Sequence, residues 1–240
     1  MTKIIYICIA IIIWHVVSYD QTINFFVSRP MDTLQYAGEN LPTLMRAFFT
    51  TLFEAAAGLV LAVIFSYLIG GFSILFPPLL KPAKSLFVVT QVLPIITLAP
   101  LFIALFGLGV WSKVGMVSVM CFFPVFIGLV SGIAAVKERS DDFLSMYNTP
   151  IKSRILRVYL PLSLPDVFVG LKVAATMAVL GAIVAEFLGA YYGLGKNLYR
   201  APKLANAELM MSSAILTALM GTVLFRLIEF LERRIVVWEK

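Results

Sequence analysis

Glu54 and Glu186 raise the first chemical question in this chain, because each is a carboxylate embedded in an apolar run, "TTLFEAAAGLV" and "LGAIVAEFLGA". An ionisable group in such surroundings is expensive, and it either lines a polar path or pairs with a neighbouring element. Both roles stand for Glu186, with pairing favoured. For Glu54 the adjacent "AAAG" favours pairing further, since small residues let helices approach closely. Gln91, Pro94, Thr97 and Ser131 are weaker candidates for the same polar path, and Pro94 and Pro100 are expected chiefly to kink the helix that carries them. Lys172 is expected to snorkel towards an interface. Other chemistry is sparse. His15 is the only histidine and has no ligand-like neighbour, while Cys8 and Cys121 sit in apolar stretches as small hydrophobes. No nucleophile–base set, metal cluster or G-x-x-x-x-G-K-[ST] phosphate loop occurs, so neither an enzyme nor a cofactor bound by this chain is expected.

The second concentration of reactive residue types is "KERSDDFLSMYNTPIKSRILRVYLPLSLPD". Asp141 and Asp142 precede Phe143, Leu144, Met146 and Tyr147. Acidic residues suit a helix start, so a short helix carrying an apolar knob is expected here. "IKSRILRVYL" then places Ile151, Ile155 and Val158 near one face and the basic residues elsewhere, and Pro161 and Pro165 re-aim the chain. Read as charge alone, this is a solvated loop that fixes topology. The order of acid, apolar knob, basic turn and double proline favours docking to a partner instead.

These two regions are positioned by an unusually apolar chain. Of 240 residues, 61% are hydrophobic and 13% charged, where a soluble domain is about half apolar and about a quarter charged. The apolar residues come in continuous runs, which predicts an all-α integral membrane protein and not a barrel of short alternating strands. Six crossings are expected, over 4–19, 47–72, 86–106, 114–136, 167–188 and 210–230. The organisation is a single transmembrane domain over 1–240: a first helix 1–20, an external connector 21–46, and a five-helix core 47–240 that includes the cytoplasmic segment 137–165. The net charge of +6 fits basic cytoplasmic loops, and no nucleic-acid partner is expected. With the N-terminus inside, eleven lysines and arginines lie inside. Six (Arg29, Arg46, Lys113, Lys196, Arg200 and Lys203) lie outside. That asymmetry puts both termini and residues 137–165 in the cytoplasm.

On these residues the chain resembles the permease subunit of a bacterial ATP-binding-cassette importer of the binding-protein-dependent type I family. It is most similar to the permeases for sulfonates, taurine, nitrate, bicarbonate and pyrimidine precursors. The family's cytoplasmic signature runs Glu-Ala-Ala, three residues, Gly, then a stretch ending Leu-Pro, three residues, Pro. Leu160, Pro161, Pro165 and Gly170 match its end. Asp142 stands at the Glu position, Phe143 and Leu144 at the two alanines, and Asn148 at the glycine, where Asn tolerates a left-handed backbone. "QVLPIITLAPLFIALFGLGVWSKV", "VAEFLGAYYGLG" and "LIEFLERRIVVW" extend the likeness along the chain. The resemblance implies that Asp142, Phe143, Leu144, Met146, Tyr147, Asn148, Pro150, Ser153, Leu160, Pro161, Pro165 and Gly170 couple the chain to an ATPase. It also implies two cytoplasmic ATPase subunits holding ATP and Mg, a second permease copy in a homodimer, an external solute-binding protein, and an inner membrane whose lipid surrounds the spans. The expected solute is small and anionic or polar: a sulfonate or taurine, nitrate, bicarbonate or a pyrimidine. Competing readings are an ion-driven secondary transporter, which would want intramembrane charged pairs and a repeated half, an energy-coupling-factor component, whose Ala-x-Arg motifs are absent, and an uncoupled permease-like scaffold.

Overall fold

Continuous apolar sequence becomes continuous helix wherever the backbone must satisfy its own hydrogen bonds in hydrocarbon. A computed structural model describes residues 2–19, 26–75 and 95–238, and among them every regular element is helical. Helix α1 (Thr2–Val17) leads to α2 (Pro30–Glu39) and α3 (Leu41–Leu75). A 3₁₀ turn (Ile95–Leu98) enters α4 (Ala99–Phe106), followed by α5 (Val110–Met146). After α6 (Ile151–Arg154), a π-helical turn (Ile155–Tyr159) and α7 (Leu160–Leu162) come α8 (Leu164–Gly189), α9 (Leu194–Arg200) and α10 (Ala207–Ile235).

Among the described residues, four helices are long and apolar enough to cross a membrane: Leu41–Gly71, Val110–Met146, Leu164–Gly189 and Ala207–Ile235. They correspond to four of the six expected crossings. The first expected crossing is α1, with 16 residues. Of the third, residues 86–94 lie outside the described residues, as do Gln91 and Pro94; its remainder is the 3₁₀ turn and α4, with Pro100 in the first helical turn. There Pro100 starts a helix, at a position that needs no N–H. The connector is helical at α2, where Pro30 occupies the first turn and the Trp14 indole donates to the Ser28 carbonyl at 3.0 Å.

α8 is the central helix, packed against α3, α5, α9 and α10. Its buried face, with Ala174, Ala178 and Ala182, meets Val117, Cys121 and Val125 of α5 and Ala55, Leu59 and Ala62 of α3. The α5–α8 crossing is close because glycines form it. A Cβ on Gly170 would collide with the Pro124 carbonyl, and one on Gly128 would lie 2.6 Å from the Asp166 carbonyl. Small residues at such crossings let dispersion act between backbones where lipid supplies no hydrophobic drive. Gly170→Leu is therefore expected to destabilise the purified chain by about 1–3 kcal/mol through overpacking, read as a lowered melting temperature in micelles.

α5 has 37 residues and at 1.5 Å per residue is about 55 Å long, well beyond a hydrocarbon core of about 30 Å. Its C-terminal turns stand outside the membrane. Asp141 and Asp142 consequently lie near the end of this helix and do not open a new one, contrary to the helix-start expectation. Apolar packing of Ile133, Val136 and Leu144 onto Tyr159 carries the helix through them.

Candidate functional site

At the far end of α5 the chain turns back on itself around a C-cap set by the backbone. Asn148 has φ +50°, and its N–H donates to the Ser145 carbonyl at 3.0 Å while the Thr149 N–H donates to the Leu144 carbonyl at 3.2 Å. This pair of bonds is a Schellman motif with Asn at the left-handed position, the role its place in the signature predicts. Arg154 braces the turn from the next helix. Its Nε donates to the Thr149 carbonyl at 2.8 Å, one terminal nitrogen donates to the Leu144 carbonyl at 3.2 Å, and the other lies 3.7 Å from Asp141. The Tyr159 hydroxyl also donates to Asp141, and Lys137 lies 3.8 Å from it. Burial, then the Asp141 carboxylate, hold the Tyr159 phenol above its usual range, so it stays a donor at physiological pH.

Asp141, Arg154 and Tyr159 thus brace an elbow; the sequence singled out Asp141 as a helix-start acid but not its pairing with Arg154 and Tyr159. The available signal was Tyr159 itself, an aromatic inside a basic stretch. Pro161 follows the π-helical turn, whose wider spacing removes the need for the N–H that proline lacks. Pro165 lies in the first turn of α8. The prolines punctuate a helical path that departs from α-geometry at the π turn and Ser163.

The elbow displays apolar side chains to solvent. Phe143, Met146 and Tyr147 are 62%, 81% and 69% exposed, and the Phe143 and Tyr147 rings pack at 5.0 Å. Asp142 and Pro150 are exposed beside them, and Ile151 is exposed too, unlike the half-buried Ile155 and Val158 with which it was expected to share a face. Leu144, Ser153, Leu160, Pro161 and Pro165 are half-buried; Leu144 and Leu160 pack onto Tyr159. Gly170 is buried in the α5–α8 crossing, remote in role from this surface. Thr97 and Ser131 are exposed on the outside of the bundle, and the structure does not bring them together with Glu186.

The opposite end of the bundle holds the second cluster. Glu186 is fully buried at the end of α8, and Glu54 is 1% exposed on α3. The Thr51 hydroxyl donates to Glu186 Oε1 at 2.6 Å, the Gly195 N–H donates to Oε2 at 2.5 Å, and the Leu194 N–H donates to Thr51 Oγ1 at 2.8 Å. Glu54 is close enough to Glu186 and Lys113 for their charges to act on one another, and its Oε2 is buried without a hydrogen-bond partner among the described residues.

Glu54 and Glu186 thus share one cluster with Thr51, Lys113 and α9, rather than lying apart on separate helices. Lys113, expected at the outer surface, is 4% exposed and caps the preceding turn by donating to the Leu108 and Gly109 carbonyls at 2.7 and 2.9 Å. Gly193 (φ +131°) and Gly195 make the approach possible, because a Cβ on either would strike the Glu186 carboxylate. Thr51 was missed, though its spacing of three from Glu54 places both on one helix face. Lys172 forms an ion pair with Glu232 of α10 at 2.6 Å in place of free snorkelling.

One cluster therefore ties α3, α5, α8 and α9 together at one end of the bundle, and an apolar knob on a braced elbow projects from the other. Residues 75–237 match the family described as "Binding-protein-dependent transport system inner membrane component". The formylaminopyrimidine transport permease protein ThiX of Halalkalibacterium halodurans is 28% identical over 80% of this chain and 79% of its own length. A probable ABC transporter permease protein of Haemophilus influenzae is 30% identical over 78% and 76%. The putative aliphatic sulfonates transport permease protein SsuC of Bacillus subtilis is 27% identical over 78% and 68%.

Proposed function

This chain belongs to the family of binding-protein-dependent transport system inner membrane components, and from that premise we propose that it is the permease subunit of an ATP-driven importer. The observation that carries the coupling role is the exposed triad Phe143, Met146 and Tyr147 on a backbone that Asp141, Arg154 and Tyr159 hold fixed. An exposed apolar patch on a rigid support fits a partner's groove. The partner is a cytoplasmic ATPase subunit that holds ATP and Mg. Closure of two such subunits pushes the elbow, and α5, continuous from the knob to the Lys113 turn, carries the displacement across the membrane. The assembly holds two permease copies, paired as a homodimer, and receives solute from an external binding protein. Both termini and the elbow are cytoplasmic.

The names of ThiX and SsuC refer to a formylaminopyrimidine and to aliphatic sulfonates. They support a small anionic or polar nutrient as the solute here.

A cysteine at the exposed Ser145, with Cys8 and Cys121 replaced by alanine, tests the arrangement. A membrane-impermeant maleimide is expected to label it in inside-out vesicles only, and added ATPase subunits are expected to shield it. Labelling from the outer face would place the elbow on the wrong side and end the importer reading.

A further inference from the structure

Beside the buried carboxylates, a cleft of about 330 Å³ opens between the N-terminal turns of α3 and the α8–α9 connection with α9. Its walls carry Arg46, Lys196 and Arg200, three cations for which no carboxylate partner is found among the described residues. Tyr191 and Tyr192 flank them, and the Arg46 guanidinium lies 3.9 Å from the Tyr192 ring centroid, which holds it in place. Asn197 also lines the cleft. It is 9% exposed, and its amide nitrogen is buried without a hydrogen-bond partner among the described residues. The buried carboxylates behind the Gly193 wall are engaged elsewhere. Glu186 is engaged by Thr51 and Gly195 beneath the Gly193 wall, and Glu54 faces Glu186 and Lys113.

We propose that this cleft binds a small oxyanion, a carboxylate, sulfonate or phosphate group, between Arg46, Lys196 and Arg200. Guanidinium groups fit planar and tetrahedral oxyanions through paired N–H donors, and the tyrosines give an apolar flank to an organic substituent. The size suits a group of a few heavy atoms and not a folded protein segment. Only its placement at the outer mouth of the bundle rests on the importer reading. There it would concentrate anionic solute, or hold the phosphate of a lipid headgroup.

The test is calorimetric titration of the purified full-length chain in non-ionic micelles at constant ionic strength, with methanesulfonate, inorganic phosphate and the neutral methanesulfonamide. Methanesulfonate and phosphate are expected to bind saturably and the neutral analogue not to bind. Arg46→Gln and Arg200→Gln are each expected to weaken binding about tenfold, the loss of one charge-assisted hydrogen bond. Lys203→Gln, whose ammonium lies over Tyr199 outside the cleft, should leave it unchanged. Both arginines are exposed, so folding survives their replacement. Repeating the titration in nanodiscs of phosphatidylcholine with and without phosphatidylglycerol separates the sources: displacement by phosphatidylglycerol identifies a lipid headgroup, and no displacement a free solute. Equal binding of methanesulfonamide, an unchanged affinity in both arginine variants, or no saturable binding of either anion overturns the proposal. The measurement needs no ATPase, so its failure is separate from failure of coupled uptake.

Discussion

Tyr147→Asp is expected to reduce ATP-driven uptake by about 100-fold or more while the chain inserts and folds normally. Docking would transfer the Tyr147 ring, 69% exposed in the free chain, into an apolar groove. A carboxylate there costs several kcal/mol to desolvate without a partner, which is two or more decades in association. Folding is insulated from the change, because Tyr147 caps α5 with an ordinary φ of −92° and buries little of itself. Phe143 would lose its 5.0 Å ring neighbour, a secondary loss. The measurement is solute uptake and ATP hydrolysis in proteoliposomes containing the complete transporter. Hydrolysis without uptake, or loss of ATPase binding, is the expected pattern. Tyr147→Phe, which keeps the ring, should transport normally. Coupled transport at the wild-type rate in Tyr147→Asp would remove the knob from the mechanism.

Glu186→Ala should produce the largest loss of stability of any single change at the opposite end of the bundle. It deletes the acceptor of the Thr51 hydroxyl and of the Gly195 N–H, and leaves Glu54 and Lys113 buried without their counterpart. Removing one member of a buried polar network costs about 3–5 kcal/mol, because the groups left behind stay desolvated. Glu186→Gln keeps an acceptor oxygen in the same place and is expected to cost about 1 kcal/mol. Glu54→Gln should be close to neutral, since a neutral amide of the same shape keeps the packing and removes one of two neighbouring buried like charges. Thermal melts of the three variants in micelles give the order Glu186→Ala far below Glu186→Gln, with Glu54→Gln near the wild type. If Glu186→Ala melted with the wild type, the cluster would not be what holds α9 and α3 onto α8.

The membrane character and the all-helical class were legible because they follow from quantities summed along the chain. A helix satisfies its backbone within one segment, so a run such as 167–188 announces α8 without reference to any other residue. Asn148 was legible for the same reason: a left-handed helix terminus is a property of one residue and its neighbours, and Asn tolerates it. The exposed knob at Phe143, Met146 and Tyr147 followed from its unusual setting among charges. The end of α5 did not. Local composition placed a helix start at Asp141 and Asp142, whereas Tyr159 and Arg154, supplied from further along, fix that carboxylate and let the helix run on to Met146.

By itself, then, the sequence determined the solvent the chain lives in, its helical class and the segment that carries an exposed apolar knob. Only the tertiary structure decided which charges are paired. Thr51 and Glu186 lie 135 positions apart, and nothing in either run indicates that Gly193 and Gly195 will let a backbone N–H reach the same carboxylate. Lys113 reads as a surface lysine until the turn at Leu108 and Gly109 folds over it. Burial by secondary structure is a local free energy that accumulates residue by residue, but partnership between buried polar groups is set by where packed helices place their few polar atoms, and that placement exists only once the bundle has formed.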